Sequence, residues 1–189
     1  VIGLIVTKEG FPVSYEVFAG NTFEGKTFIP TIVKFKKEHD VKNLTVVADA
    51  AMISFPNVQS LIANNLSYIV GARMANLKLD QIKQVSQELN QADDASVRIE
   101  TERGLLVCDF SLIRYRKDKR EMERQTVKAE RLLENNEARK RTKFIKTDSK
   151  TKQSLNENLI EKTKLLLGIK GYYTNLIGEN DETIISQYH

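Results

Sequence analysis

Asp49 is the residue whose type and position most favour chemistry. It follows an apolar, β-prone run at residues 44–48. Open α/β sheets place ligands and catalytic groups at the carboxyl ends of such strands. The flanking Ala48, Ala50 and Ala51 are small, so a hydrated ligand can approach the carboxylate. A carboxylate here can hold Mg²⁺, which prefers oxygen ligands and keeps several waters. The other interpretation is that Asp49 only caps the following turn.

A basic segment at residues 114–146 is the second candidate. It holds thirteen lysines and arginines and six acids, an excess of seven, whereas the whole chain has a net charge of +4. Such a concentration of positive charge is typical of a surface that binds a phosphate backbone. The candidate DNA contacts are Arg114, Arg116, Lys117, Lys119, Arg120, Arg124 and Lys128. The alternative is a solvated helix face with internal ion pairs. Tyr115 and Phe144 either stack on bases or belong to the core.

Composition excludes several other chemistries. One cysteine and two distant histidines leave no His/Cys zinc site and no internal disulfide. Cys108 lies in an apolar strand pattern, so we expect a buried thiol rather than a nucleophile. With 41% hydrophobic residues the chain is not disordered, and no apolar run approaches the roughly 20 residues of a membrane-spanning helix.

Hydrophobic periodicity predicts the elements that must position these residues. Residues 1–6 and 12–18 predict a hairpin with a Gly-containing loop. Thr27 is expected to cap a helix that runs to about residue 38, with Pro30 in its first turn. Residues 44–48 and 67–71 predict buried strands joined by a helix. This order predicts an α/β fold with a mixed sheet flanked by helices.

The pattern changes near residue 76. A helix is expected at 79–89 and a second hairpin at 97–110. A charged helix follows, and its narrow apolar stripe comprises Met122, Thr126, Ala129 and Leu133. Residues 140–152 are polar and predict irregular structure. Ser154 and Asp181 are each expected to cap a further helix. A strand is expected between these two helices, at residues 171–176. The simplest division is a sheet domain at 1–75, a mostly helical insertion containing a β-hairpin at 76–167, and a return to the sheet domain at 168–189.

Several segments together resemble the core of bacterial insertion-sequence transposases of the DDE type. The segments occur in the family's order, and they are 3–6 (GLIV), 9–12 (EGFP), 15–22 (YEVFAGNT), 24–27 (EGKT), 46–52 (VVADAAM), 68–73 (YIVGAR) and 171–176 (GYYTNL). The similar group carries a Tyr-x2-Arg-x3-Glu-x6-Lys signature near its third acid. The resemblance implies a ribonuclease-H-like fold with an insertion before the helix that bears that acid.

The implied activity is metal-dependent cleavage and strand transfer of DNA in transposition. Two divalent cations, Mg²⁺ or Mn²⁺, are held by three carboxylates in such enzymes. By this resemblance Asp49 is the second carboxylate and a metal ligand, and Tyr188 is the opening tyrosine of the signature. The implied partners are DNA, at the element ends and the target, and a second copy in a homodimer, with no membrane. The implied location is the bacterial cytoplasm, in association with the nucleoid.

The ends of the chain predict a piece of a longer protein. Val1 lies inside a strand-like run, and the last residues stop within a helical pattern. We therefore expect a sheet without its first strand, a catalytic helix that only begins, and a chain that is inactive alone. Two alternatives stay open: a non-catalytic DNA-binding remnant, and a ribonuclease-H-like nuclease unrelated to transposition, since one fold serves many functions.

Overall fold

The structure is a computed structural model that describes residues 2–7, 11–17, 24–50, 55–135, 142–148 and 152–189. The strands are β1 (Ile2–Val6), β2 (Pro12–Val17), β3 (Thr45–Ala48), β4 (Ser67–Gly71), β5 (Ser96–Thr101), β6 (Gly104–Phe110), β7 (Ile145–Asp148), β8 (Lys152–Leu155) and β9 (Ile169–Thr174). The α-helices are α1 (Glu24–Glu38), α2 (Phe55–Ala63), α3 (Leu79–Leu89), α4 (Leu112–Glu134), α5 (Glu157–Leu165) and α6 (Asp181–Tyr188). Within these ranges, no helix combines the length and the apolar character needed to cross a membrane.

A five-stranded mixed sheet has the order β3-β4-β9-β6-β5. Strands β3 and β4 are parallel, with Thr45 opposite Ser67, whereas β4 and β9 are antiparallel, with Val70 opposite Tyr173. The predicted first hairpin is confirmed as the antiparallel pair β1 and β2, which forms its own two-stranded sheet. The mixed sheet flanked by helices confirms the predicted α/β fold class.

The chain forms two compact units. The first comprises residues 1–72, 100–106 and 172–189, and the second comprises residues 73–99 and 107–171. The predicted division at residues 75 and 167 stays a prediction.

The core of the first unit lies between the parallel strands and helices α1 and α2. Val46 and Ala48 alternate with exposed residues along β3, so only one face of this strand is buried. They pack with Ile32 of α1, Leu61 of α2 and Tyr68 of β4. Burial of these apolar side chains supplies the main driving force for folding, at about 1.5–3 kcal/mol for each fully buried large side chain.

Polar side chains at the end of β9 and directly after it fasten that strand to β4. The Thr174 hydroxyl donates to the Tyr68 carbonyl at 2.7 Å. The Asn175 side chain accepts from the Tyr68 backbone N–H at 3.0 Å and donates to the Leu66 carbonyl at 3.1 Å. These bonds continue the pairing of the two strands beyond the last backbone pair, so the Leu66 carbonyl and the Tyr68 N–H and carbonyl all have hydrogen-bond partners.

The second unit is organised around α4. Its inner face confirms the predicted stripe, because Met122 and Ala129 are buried, and they pack with Phe144 and Leu167. Residues of α5 and of the β7–β8 hairpin, including Leu155, close this core. Helix α3 packs against α5.

Three expectations from the sequence are wrong in detail. Helix α1 begins at Glu24, so Pro30 lies in its second turn and not the first. The caps of α5 and α6 are Asn156 and Asn180, whose side chains accept from Leu159 and Thr183 N–H groups, and not Ser154 and Asp181. The polar stretch at 140–152 is not irregular where the structure describes it, because 145–148 and residue 152 belong to a hairpin.

The local sequence pattern did not indicate which sheet the second predicted hairpin joins. Its strands β5 and β6 exist as predicted, and both belong to the five-stranded sheet, where β6 lies beside β9. Thr101 shapes the turn between them, because its hydroxyl donates to the Gly104 carbonyl at 2.8 Å and accepts from the Arg103 N–H at 3.1 Å.

Candidate active site and DNA interface

Asp49 lies directly after the last residue of β3, as the sequence predicts. Ala48 before it is buried, whereas the Asp49 side chain is exposed. Because β3 and β4 are parallel and Ala48 lies opposite Val70, Gly71 at the end of β4 reaches the same edge of the sheet. Parallel strands bring their carboxyl ends to one edge, which is where ligands bind in open α/β sheets. The role of Asp49 stays a prediction.

Tyr188 reaches this same edge from helix α6, which packs against β3 and β4. A Cβ atom built on Gly71 would lie 2.6 Å from the Tyr188 hydroxyl and 3.1 Å from the backbone nitrogen of Ala50. The hydroxyl therefore lies beside the residue that follows Asp49. The structure thus brings together the two residues that the resemblance assigns to catalysis.

Two further residues support Tyr188. The ring centroid of Tyr172, in β9, is 4.7 Å from that of Tyr188. The Tyr172 hydroxyl and Nε2 of His189 are 3.2 Å apart and share a hydrogen bond. Tyr172 is fully buried, so its ring is a fixed surface against which the end of α6 packs. Sequence reasoning missed Gly71, Tyr172 and His189 as site residues. The sequence feature that could have indicated these residues is a glycine at the end of an apolar strand, together with aromatic residues near the end of the last helix.

Asp49 can offer carboxylate oxygen to a divalent cation, which is the ligand chemistry that Mg²⁺ and Mn²⁺ prefer. Of the residues that the structure describes, no three histidine, cysteine, aspartate or glutamate side chains form a cluster able to hold a metal ion.

Helix α4 carries all seven candidate DNA contacts. Six are exposed: Arg116, Lys117, Lys119, Arg120, Arg124 and Lys128. Arg114 is half-buried, and its Nε has no hydrogen-bond partner among the described residues. The two aromatic candidates for base stacking belong to the core instead. Phe144 is fully buried, and Tyr115 packs against Phe110 with ring centroids 5.9 Å apart.

The start of α4 is fixed by hydrogen bonds from outside the helix. The Leu112 N–H donates to the Asp93 carboxylate at 2.7 Å, which satisfies one of the N–H groups that a helix start leaves without an internal partner. Gly168 accepts from the Ser111 N–H at 3.0 Å and donates its own N–H to the Asp118 carboxylate at 3.2 Å. These bonds set the direction in which the basic face of α4 points within its unit.

Cys108 is buried in β6, which confirms the expected burial of its thiol. Burial, followed by the nearby Asp109 carboxylate, raises the pKa of the thiol to about 12. Because the thiolate is the nucleophile, the raised pKa keeps this thiol in its protonated, weakly nucleophilic form near neutral pH.

A mixed five-stranded sheet flanked by helices, with a carboxylate at the end of a parallel strand, defines a ribonuclease-H-like α/β protein. A family model described as "Transposase DDE domain" matches residues 2–169, and the chain therefore belongs to this transposase family. The match includes Asp49 and α4, and it ends before Tyr188. Searches of curated proteins and of solved structures gave no match.

Family membership establishes a role in transposition. It implies DNA as a partner and an enzyme class that cleaves and transfers DNA strands. Transposases of this family generally use divalent metal ions.

Proposed function

We propose that this chain is part of a transposase that cleaves DNA at the ends of a bacterial insertion sequence and joins it to a target. The observation that supports the proposal is that Asp49 ends β3 at the edge of the sheet where the Tyr188 hydroxyl packs against Gly71, beside Ala50. The assignment of Asp49 as the second carboxylate of the family set supports its role as a metal ligand.

Asp49 would hold a divalent ion, which would supply activation of a water or a DNA 3′-hydroxyl and stabilisation of the leaving oxygen. The chain's own contribution is geometric. Asp49 presents carboxylate oxygen at the end of a rigid strand, because Ala48 beside it is fixed in the core. Tyr188 orients α6 against the same edge through its contacts with Gly71 and Tyr172. The resemblance also implies a homodimer, which remains part of this proposal.

The test is transposition by a transposase that carries this chain, with Asp49→Asn as the variant. We expect strand cleavage to fall by at least about 100-fold, because a carboxamide is a poor ligand for a hard divalent cation. Asp40→Asn is a matched control, since Asp40 is exposed and has a φ of 48°, a conformation that asparagine tolerates. Cleavage at the wild-type rate by Asp49→Asn would refute the metal-ligand role.

A second candidate function is a DNA-binding remnant without catalysis. The observation that favours it is that, among the described side chains, Asp49 is not part of a three-ligand cluster, whereas α4 exposes many cations. Such a protein binds DNA equally well with and without the Asp49→Asn substitution, and it cleaves DNA in neither form. A ribonuclease-H-like nuclease, by contrast, yields hydrolysis without strand joining.

A further inference from the structure

The exposed cations of α4 fall on one face of the helix. With about 100° between successive residues, Ile113 and Arg131 point in the same direction, and the residues within about 60° of it form a stripe along the helix. Six cations lie in this stripe, and all are exposed: Arg116, Lys117, Arg120, Arg124, Lys128 and Arg131. We call these six residues the basic ridge. The buried Met122 and Ala129 lie on the opposite side.

Acidic residues of α4 lie mostly outside the ridge. Asp118 points towards the core side, where it accepts from the Gly168 N–H. Glu121 and Glu123 border the ridge on its two sides, and Glu134 lies at its C-terminal end. The six cations of the ridge run from Arg116 to Arg131, and they share the stripe with the exposed Val127.

A shallow groove of about 730 Å³ lies at the N-terminal half of the ridge, and its lining residues are Ile113, Arg116, Lys117, Asp118, Arg120, Glu121 and Arg124. Arg124 is oriented within it, because its guanidinium pairs with the Glu121 carboxylate at 2.7 Å. Gln125 donates to the same carboxylate at 2.6 Å. The Arg124 side chain is 76% exposed, and an exposed pair of this kind adds little to stability because water screens both charges. A phosphate can therefore replace the Glu121 carboxylate as the partner of Arg124, or bind Arg124 together with it, at a small cost in free energy.

The dimensions of the ridge match a nucleic-acid backbone. Arg116 to Arg131 spans about 22 Å of helix axis, and each strand of duplex DNA carries a phosphate about every 3.4 Å along its axis. One strand thus offers about six phosphates over the length of the ridge. A membrane surface is the less favoured partner, because the apolar face that an interfacial helix inserts into lipid is here buried in the core with Phe144 and Leu167.

We propose that the basic ridge binds the phosphate backbone of duplex DNA without regard to sequence. The proposal rests on the proposed function in that DNA is the substrate. It adds Arg131 to the interface predicted from sequence and removes Arg114, which is half-buried, and Lys119, which points away from the ridge.

The experiment measures binding of the full chain to a fluorescent duplex of arbitrary sequence, between about 50 and 200 mM salt. Six phosphate contacts predict a plot of log K against log salt with a slope of about −5 and a loss of affinity of about 1,000-fold over this range. Arg120→Gln with Arg124→Gln is expected to make the slope shallower by about 2, and Arg131→Gln by about 1.

Lys119→Gln is the matched control, since it removes one exposed charge from the same helix outside the ridge. We expect an unchanged slope for this variant, and unchanged thermal unfolding for all variants, because none of the substituted side chains is buried. An equal loss of slope for Lys119→Gln and Arg131→Gln would show diffuse attraction and overturn the ridge. Binding to vesicles rich in phosphatidylserine without binding to the duplex would also overturn it.

Failure of this proposal is distinguishable from failure of the proposed function. Asp49→Asn is expected to leave duplex binding intact. If ridge variants bind normally while cleavage depends on Asp49, the ridge assignment is wrong and the catalytic assignment stands. If the ridge variants lose binding and cleavage does not depend on Asp49, the catalytic assignment is wrong and the ridge assignment stands.

Discussion

The Tyr188 hydroxyl occupies the space that a side chain at Gly71 would need, since a Cβ on Gly71 would lie 2.6 Å from that oxygen. The contact joins the end of β4 to α6 beside Ala50, the residue after Asp49. A glycine at the end of a strand therefore sets how closely α6 approaches the edge that carries the candidate metal ligand.

Gly71→Ala is expected to destabilise the chain by about 1–3 kcal/mol, because the added methyl group meets Tyr188 and backbone that cannot move freely. Tyr188→Phe removes the oxygen that the methyl group would contact. The Gly71→Ala penalty should therefore be smaller in a Tyr188→Phe background, and urea unfolding of the four proteins in this cycle measures the difference. An equal penalty in both backgrounds would contradict the contact. Gly178→Ala is the control, since a Cβ there meets nothing within 4 Å.

Asn175→Ala is expected to cost about 1–3 kcal/mol, because it leaves two backbone groups of buried residues, the Tyr68 N–H and the Leu66 carbonyl, without this partner. Thermal or urea unfolding is the measurement. Asn158→Ala, at an exposed position of α5, should change stability by no more than about 0.5 kcal/mol. If the two variants were equally stable, the Asn175 side chain would not fasten β9 to β4.

Gly168→Ala should destabilise the second unit and disturb α4. Gly168 has a φ of 78°, and a Cβ there would lie 2.6 Å from the Phe110 ring and 2.8 Å from Cβ of Tyr115. The left-handed conformation alone costs a residue with a side chain about 1–2 kcal/mol. We expect lower unfolding stability together with weaker duplex binding, since Gly168 helps to fix the start of α4. Native stability in this variant would contradict the tight packing.

Cys108 should resist alkylation by iodoacetamide at pH 8 in the folded chain and react readily in urea, because burial raises the pKa of its thiol from 9.0 to about 12. The unfolded thiol ionises first as pH rises. The stabilising contribution is therefore complete below pH 9 and is lost as pH rises towards 12. Comparison with Cys108→Ala isolates this alkaline loss from that of other groups. Alkylation of the folded chain at the rate of the unfolded chain would contradict the buried position.

The sequence by itself determined the local features. The apolar, β-prone run at residues 44–48 placed Asp49 at a strand end, because β-branched residues favour strands. The spacing of Met122 and Ala129 gave the inner face of α4, because hydrophobic periodicity reports which face of a helix is buried. The prediction of irregular structure at 140–152 was wrong, because a short hairpin such as β7–β8 carries little apolar alternation.

Only the tertiary structure decided what each buried face packs against. It assigned Tyr115 and Phe144 to the core rather than to DNA, and it placed β5 and β6 in the main sheet. It also brought Tyr188 to Gly71, although the two residues are far apart in the chain. Periodicity identifies an apolar or basic face, but the partner of that face depends on contacts between distant segments, which form only when the whole chain packs.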